Sequence, residues 1–126
     1  MLVGRSCLCL FAFVLVSIHS GTTSAEIVRG RVVEIAVSSA SSPSYGGCYA
    51  QLDTPLSAPS VAGGCTYGKY VTFDCNGELG GSRSLAKDKY AVAQLAYVTQ
   101  DEVYMDVDVS KNINGICFAD RAIIFK

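Results

Sequence analysis

The 126-residue chain holds one histidine, six cysteines and no tryptophan, and the place of that histidine decides most of the chemistry open to it. His19 sits just behind the apolar run CLCLFAFVLVSI (7–18), which follows a positive Arg5 and gives way to HSGTTSA with small residues at Thr23 and Ala25. This is the form of a secretory signal peptide, with cleavage expected after Ala25. The run falls short of the about 20 apolar residues that a spanning helix needs, so no stable membrane insertion is expected. Residues 26–126 then hold no imidazole for a Ser-His-Asp or Cys-His relay, and none for a zinc site. The expectation is a secreted, extracellular protein with no catalytic residues, no metal ligands and no cofactor.

Carboxylates remain as candidates. Asp53 and Asp74 are the pair a hydrolase would use, but strand register puts them on opposite faces. Asp101, Glu102, Asp106 and Asp108 fit no calcium-loop spacing; Asp106 and Asp108 decorate a solvated strand face. Arg29 and Arg31 straddle Gly30 on one strand face, as a solvated pair or as a ligand or subunit contact. Tyr70, Tyr90 and Tyr97 read as barrel-edge or helix-packing residues. The net charge of −1 becomes −2 once Arg5 leaves with residues 1–25, and nothing here is basic enough to suggest nucleic acid or anionic lipid as a partner. No asparagine carries the signal for N-linked glycosylation.

These residues need a frame. Taking 25 leader residues from 126 leaves 101, one small domain that would benefit from covalent staples. EIVRGRVVEIAV (26–37) is rich in β-branched residues and reads as a first strand, with a bulge or bend at Gly30. CYAQLDT (48–54) follows a small-residue loop at 38–47. After a Pro- and Gly-bearing connection at 55–64 comes a third strand, YGKYVTFDC (67–75). SLAKDKYAVAQLAYVTQ (84–100) suits a helix with Ser84 as N-cap and Leu85, Val92, Leu95 and Ala96 on one face. EVYMDVDVS (102–110) alternates cleanly, with Val103, Met105, Val107 and Val109 on the inner side. NGICFADRAIIF (114–125) is the last strand, entered through an Asn-Gly turn. Strand, strand, strand, helix, strand, strand predicts an all-β fold with one helix: an OB-fold-like five-stranded antiparallel barrel. A cystatin-like sheet, the nearest rival, would need its long helix near the N-terminus.

The cysteines fit that frame. Cys7 and Cys9 leave with the leader, and Cys48, Cys65, Cys75 and Cys117 remain, an even number in an exported chain. Pairing strands two and three with Asp53 against Tyr70 and Gln51 against Thr72 sets Cys48 opposite Cys75, within bridging distance. Pairing Cys48 with Cys65 would centre the turn near Leu56, consume Pro59 in the ladder and waste the YVTF run. The expected bridges are therefore Cys48–Cys75 and Cys65–Cys117.

The segments GRVVEI, CYAQLD, CTYGKYVTFDC, YAVAQLAYVT, EVYMDVDV and CFADRAIIF, taken together, resemble the B subunits of subtilase-type AB5 toxins and the small exported bacterial proteins related to them. The likeness is one of layout and covers nearly all of residues 26–126. It implies an OB-fold subunit that self-associates, as a ring of five, binds cell-surface glycans and delivers a separate toxic A subunit. The sugar pocket of that group lies beside the glycine opening strand one, near the strand-two cysteine. A serine that contacts sialic acid usually precedes that glycine; Arg29 stands there in this chain, able to meet a carboxylate through a bidentate contact. Tyr45 and Tyr49 are the aromatic faces on which a sugar would stack. Three readings follow: a glycan-binding B-subunit-like lectin, a monomeric secreted effector or venom component acting by protein–protein contact, and a carboxylate hydrolase.

Overall fold

The computed structural model describes residues 25–39, 44–56 and 65–126. Residues 1–24 of the expected leader, part of the first loop (40–43) and most of the Pro- and Gly-bearing connection (57–64), with Pro59, lie outside the described residues. Five strands and one helix follow in chain order: β1 (Ala25–Val37), β2 (Cys48–Leu52), β3 (Tyr70–Thr72), α1 (Arg83–Thr99), β4 (Glu102–Ile113) and β5 (Ile116–Phe125).

Alternation dictates the sheet. Val28, Gly30 and Val32 of β1 point inward, as do Cys48, Ala50 and Leu52 of β2 and Val103, Met105, Val107 and Val109 of β4. The strands close into a barrel in the order β1-β2-β3-β5-β4, with β4 paired back to β1. Neighbours in space thus depart from chain order at the end, and the expected all-antiparallel pairing fails at one ladder. β3 and β5 run parallel, Val71 beside Cys117 and Thr72 beside Phe118, because α1 carries the chain across the barrel before β4. The β4–β5 hairpin turns through Asn114 (φ 50°) and Gly115 (φ 87°), both left-handed as an Asn-Gly turn requires.

The helix packs differently from the expectation. Its N-cap is Ser82, not Ser84; the Ser82 hydroxyl accepts from the Leu85 amide at 3.4 Å. Leu85 and Leu95 lie 57% and 54% exposed, and the buried face is Ala86, Tyr90, Ala93 and Ala96. Small alanines let the helix approach the barrel closely, and Tyr90 reaches in to meet Phe73 at 5.6 Å between ring centroids. Its hydroxyl donates to the Ala36 carbonyl at 3.2 Å. Phe73, Leu52, Met105, Val32, Val71 and Val103 fill the interior. Burying side chains of this size contributes about 1.5–3 kcal/mol each.

Both disulfides are those expected. Cys48–Cys75 joins Cα atoms 5.6 Å apart and Cys65–Cys117 joins Cα atoms 5.2 Å apart. The β2–β3 register differs by two residues from the one expected. Tyr49 pairs with Thr72 and Gln51 with Tyr70, and Cys48 lies against Phe73, whose amide donates to the Cys48 carbonyl. The ladder stops at Thr72, and Asp74 (φ 62°) turns the chain so that Cys75 returns to Cys48. Two bridges fit an oxidising environment, and no helix among the described residues is long and apolar enough to cross a membrane.

The expected bulge at Gly30 is not there. Gly30 pairs regularly with Val103, and the irregularity lies between Val32 and Glu34. Gly30 is glycine for another reason. A Cβ there would sit 2.6 Å from Asp53 Oδ1 and 2.8 Å from Thr54 Oγ1, where the Asp53 carboxylate accepts from the Arg31 amide at 2.8 Å.

Candidate functional site

Four tyrosines gather on the outer face of the barrel. Tyr45 lies in the β1–β2 loop, Tyr49 on β2, Tyr67 just before β3 and Tyr70 on β3. Centroids of neighbouring rings are 5.7 Å (Tyr45–Tyr49), 6.1 Å (Tyr49–Tyr70), 6.3 Å (Tyr67–Tyr70) and 6.4 Å (Tyr45–Tyr67) apart. The circuit closes on itself. Adjacent planes meet at 61–87°, so the rings stand like walls instead of stacking. With Glu34 and Ile116 they line a cavity of about 180 Å³.

Each wall is held by the backbone. The buried Thr72 hydroxyl donates to the Tyr45 carbonyl at 2.8 Å, tying the β1–β2 loop to β3. Gly46, at φ 76°, permits that approach: a Cβ there would collide with the Thr72 hydroxyl. The Tyr67 amide donates to the Gly115 carbonyl at 3.1 Å, fixing Tyr67 against the β4–β5 turn. Two residues earlier, the Cys65–Cys117 bridge anchors the same segment to β5. Tyr49 and Tyr70 project from β2 and β3 by ordinary alternation, opposite the buried Ala50 and Val71.

Glu34 is the charged group lining this cavity. The Tyr70 phenol is held above its ordinary value by desolvation, then by the Glu34 charge, by Tyr49 and by its hydrogen bond to Glu34. It stays a neutral donor at physiological pH. Chemically, the cavity offers apolar ring faces for C–H or cationic groups, phenolic donors, and one carboxylate acceptor.

Of the residues singled out from sequence, Tyr45 and Tyr49 come together here. Arg29 does not join them. It lies towards the other end of β1, paired with Glu102 at 2.6 Å and stacked over the Phe125 ring at 4.4 Å. Gly30 and Cys48 are likewise apart, since Cys48 lies opposite Val37 at the end of β1. Tyr70, read from sequence as a barrel-edge or helix-packing residue, is a wall of the cavity, and Tyr67 was missed. The true register, Gln51 against Tyr70, is the signal that would have put Tyr70 beside Tyr49. Tyr67 is placed by its bond to the distant turn, which no local pattern records.

Asp53 and Asp74 serve the backbone. Asp53 accepts from the Arg31 amide and the Thr54 hydroxyl; Asp74, 2% exposed, accepts from the Glu78 and Leu79 amides at 2.7 and 2.9 Å. Asp106 is paired with Arg121 and Asp108 with Lys111. Among the described residues no group of three or more His, Cys, Asp or Glu side chains gathers to hold a metal ion. A larger depression of about 710 Å³ has Val37, Asn76, Glu78, Arg83 and Lys87 among its walls, with no aromatic side chain among the described residues that line it.

No family model, curated protein or solved structure matches the chain.

Proposed function

We propose that this is a secreted OB-fold protein that binds cell-surface glycans in the tyrosine cavity, without chemistry of its own, in the manner of an AB5 toxin B subunit. The observation that carries the reading is the place of the cavity. A closed β1-β2-β3-β5-β4 sheet with its helix between β3 and β4 has the OB arrangement. In such folds the β2–β3 face, with the β1–β2 and β4–β5 connections, takes oligosaccharides or oligonucleotides. Tyr49 and Tyr70 lie on β2 and β3, Tyr45 lies in the β1–β2 loop, and Tyr67, in the β2–β3 connection, is bonded through its amide to the β4–β5 turn. A nucleic acid would bring phosphates to the Glu34 carboxylate of a chain with pI ≈ 5.7, so a sugar is the better ligand.

Self-association supports the multivalency on which weak sugar sites depend. Ile27, Ile123 and Phe125 are exposed together on the outer face of β1, β4 and β5, around the Arg29–Glu102 pair. This is the face on which copies would meet to form a ring able to carry a separate toxic subunit. The alternative is a monomeric effector or venom component that uses a protein partner; exposed Leu95 and Val98 on α1 favour it.

The test is a glycan array with the oxidised protein and its Tyr49→Ala variant. A defined set of sugars bound by the first and lost at least tenfold by the second is the expected result. An empty array, or one unchanged by the substitution, would refute the proposal.

A further inference from the structure

We infer that the tyrosine cavity selects its sugar by charge, taking a residue that carries a protonated amine and rejecting acidic sugars; this rests on the glycan reading above. Glu34 is the charged side chain among the cavity's lining residues, and among the described residues no guanidinium or ammonium group lines it. A group seated among four centroids spaced 5.7–6.4 Å apart lies about 4–5 Å from each ring, inside the roughly 6 Å range over which an aromatic face attracts a cation. A volume of about 180 Å³ is below the roughly 300 Å³ at which drug-sized sites begin, and suits one sugar ring or one ammonium head group. Glu34 and the Tyr70 phenol line the cavity together, and a carboxylate with about four acceptor positions has room for an ammonium donor beside a phenol.

An acidic sugar meets the opposite situation. Its carboxylate would face Glu34 and the negative ring faces. Arg29, the residue suited to a bidentate answer, is held elsewhere by Glu102 and Phe125.

Because the chain has no tryptophan, its ultraviolet emission comes from seven tyrosines, four of which line the cavity. The probes are a β-1,4-linked glucosamine trimer with free amines, its N-acetylated counterpart, sialyllactose and tetramethylammonium, each titrated at mildly acidic pH. The free-amine trimer is expected to bind at least tenfold more tightly than the N-acetylated one, with sialyllactose weakest. Glu34→Gln, at an exposed position, should remove that preference while the unfolding midpoint holds. Equal or tighter binding of the N-acetylated or acidic sugar would overturn the charge selectivity and leave the glycan reading standing. Tetramethylammonium binding with no saccharide binding would overturn the glycan reading, and the inference with it. Silence from every probe would overturn both.

Discussion

Replacing Gly30 with alanine would push a methyl group against Asp53 Oδ1 and Thr54 Oγ1, at 2.6 and 2.8 Å. Overpacking of this kind costs about 1–3 kcal/mol, and Asp53→Ala should recover part of it, since residues in contact do not add independently. Urea unfolding of the two single variants and the double variant measures that coupling. Thr72 makes a different prediction. Its hydroxyl holds the Tyr45 carbonyl, so Thr72→Val should weaken ligand binding with the barrel intact, at a cost of about 1–3 kcal/mol in stability for the lost buried hydrogen bonds. Loss of binding with Tyr45 unmoved in the ring spectrum would contradict that role.

At the scale of elements, long alternating strands were legible and close approaches were not. EVYMDVDV shows its buried face in its own pattern, and Asn114-Gly115 states its turn. Leu85 and Leu95 mislead because the barrel admits alanines at that distance, a constraint set by tertiary packing and absent from helical periodicity. The three-residue β3 misleads for a related reason: a left-handed Asp74 ends the ladder before the cysteine, and a longer strand was needed to bring Cys75 opposite Cys48. The pairing survived because only the local geometry differed. Removing Cys65–Cys117, which closes 52 residues, should cost roughly 4 kcal/mol, and Cys48–Cys75, closing 27, about 3.5 kcal/mol in the chain-entropy model. The first loss should also weaken binding, because Tyr67 follows Cys65 closely. Denaturation and fluorescence titration of the Cys65→Ala/Cys117→Ala protein check both parts.

For the whole molecule, acid is the informative stress. The Asp53 carboxyl is held below its ordinary value, chiefly by the Arg31 amide and against some desolvation. A depressed native value stabilises the fold above the unfolded carboxyl's pKa of about 3.9, and that contribution fades as pH falls through the native value. The unfolding midpoint should therefore drop on acidification below about pH 4, and drop less in Asp53→Asn. Assembly belongs to the same scale. If the Ile27–Ile123–Phe125 face joins copies, light scattering will give a defined oligomer, and Phe125→Asp will give a monomer.

The central claim is that sugar enters one ring of four tyrosines. The most direct measurement is an NMR titration of protein carrying ring-labelled tyrosine, with the sugar that binds most tightly. Seven tyrosine signals are available. Perturbation confined to Tyr45, Tyr49, Tyr67 and Tyr70, with Tyr90, Tyr97 and Tyr104 unmoved, is the predicted result; saturable binding that leaves those four unchanged would contradict it.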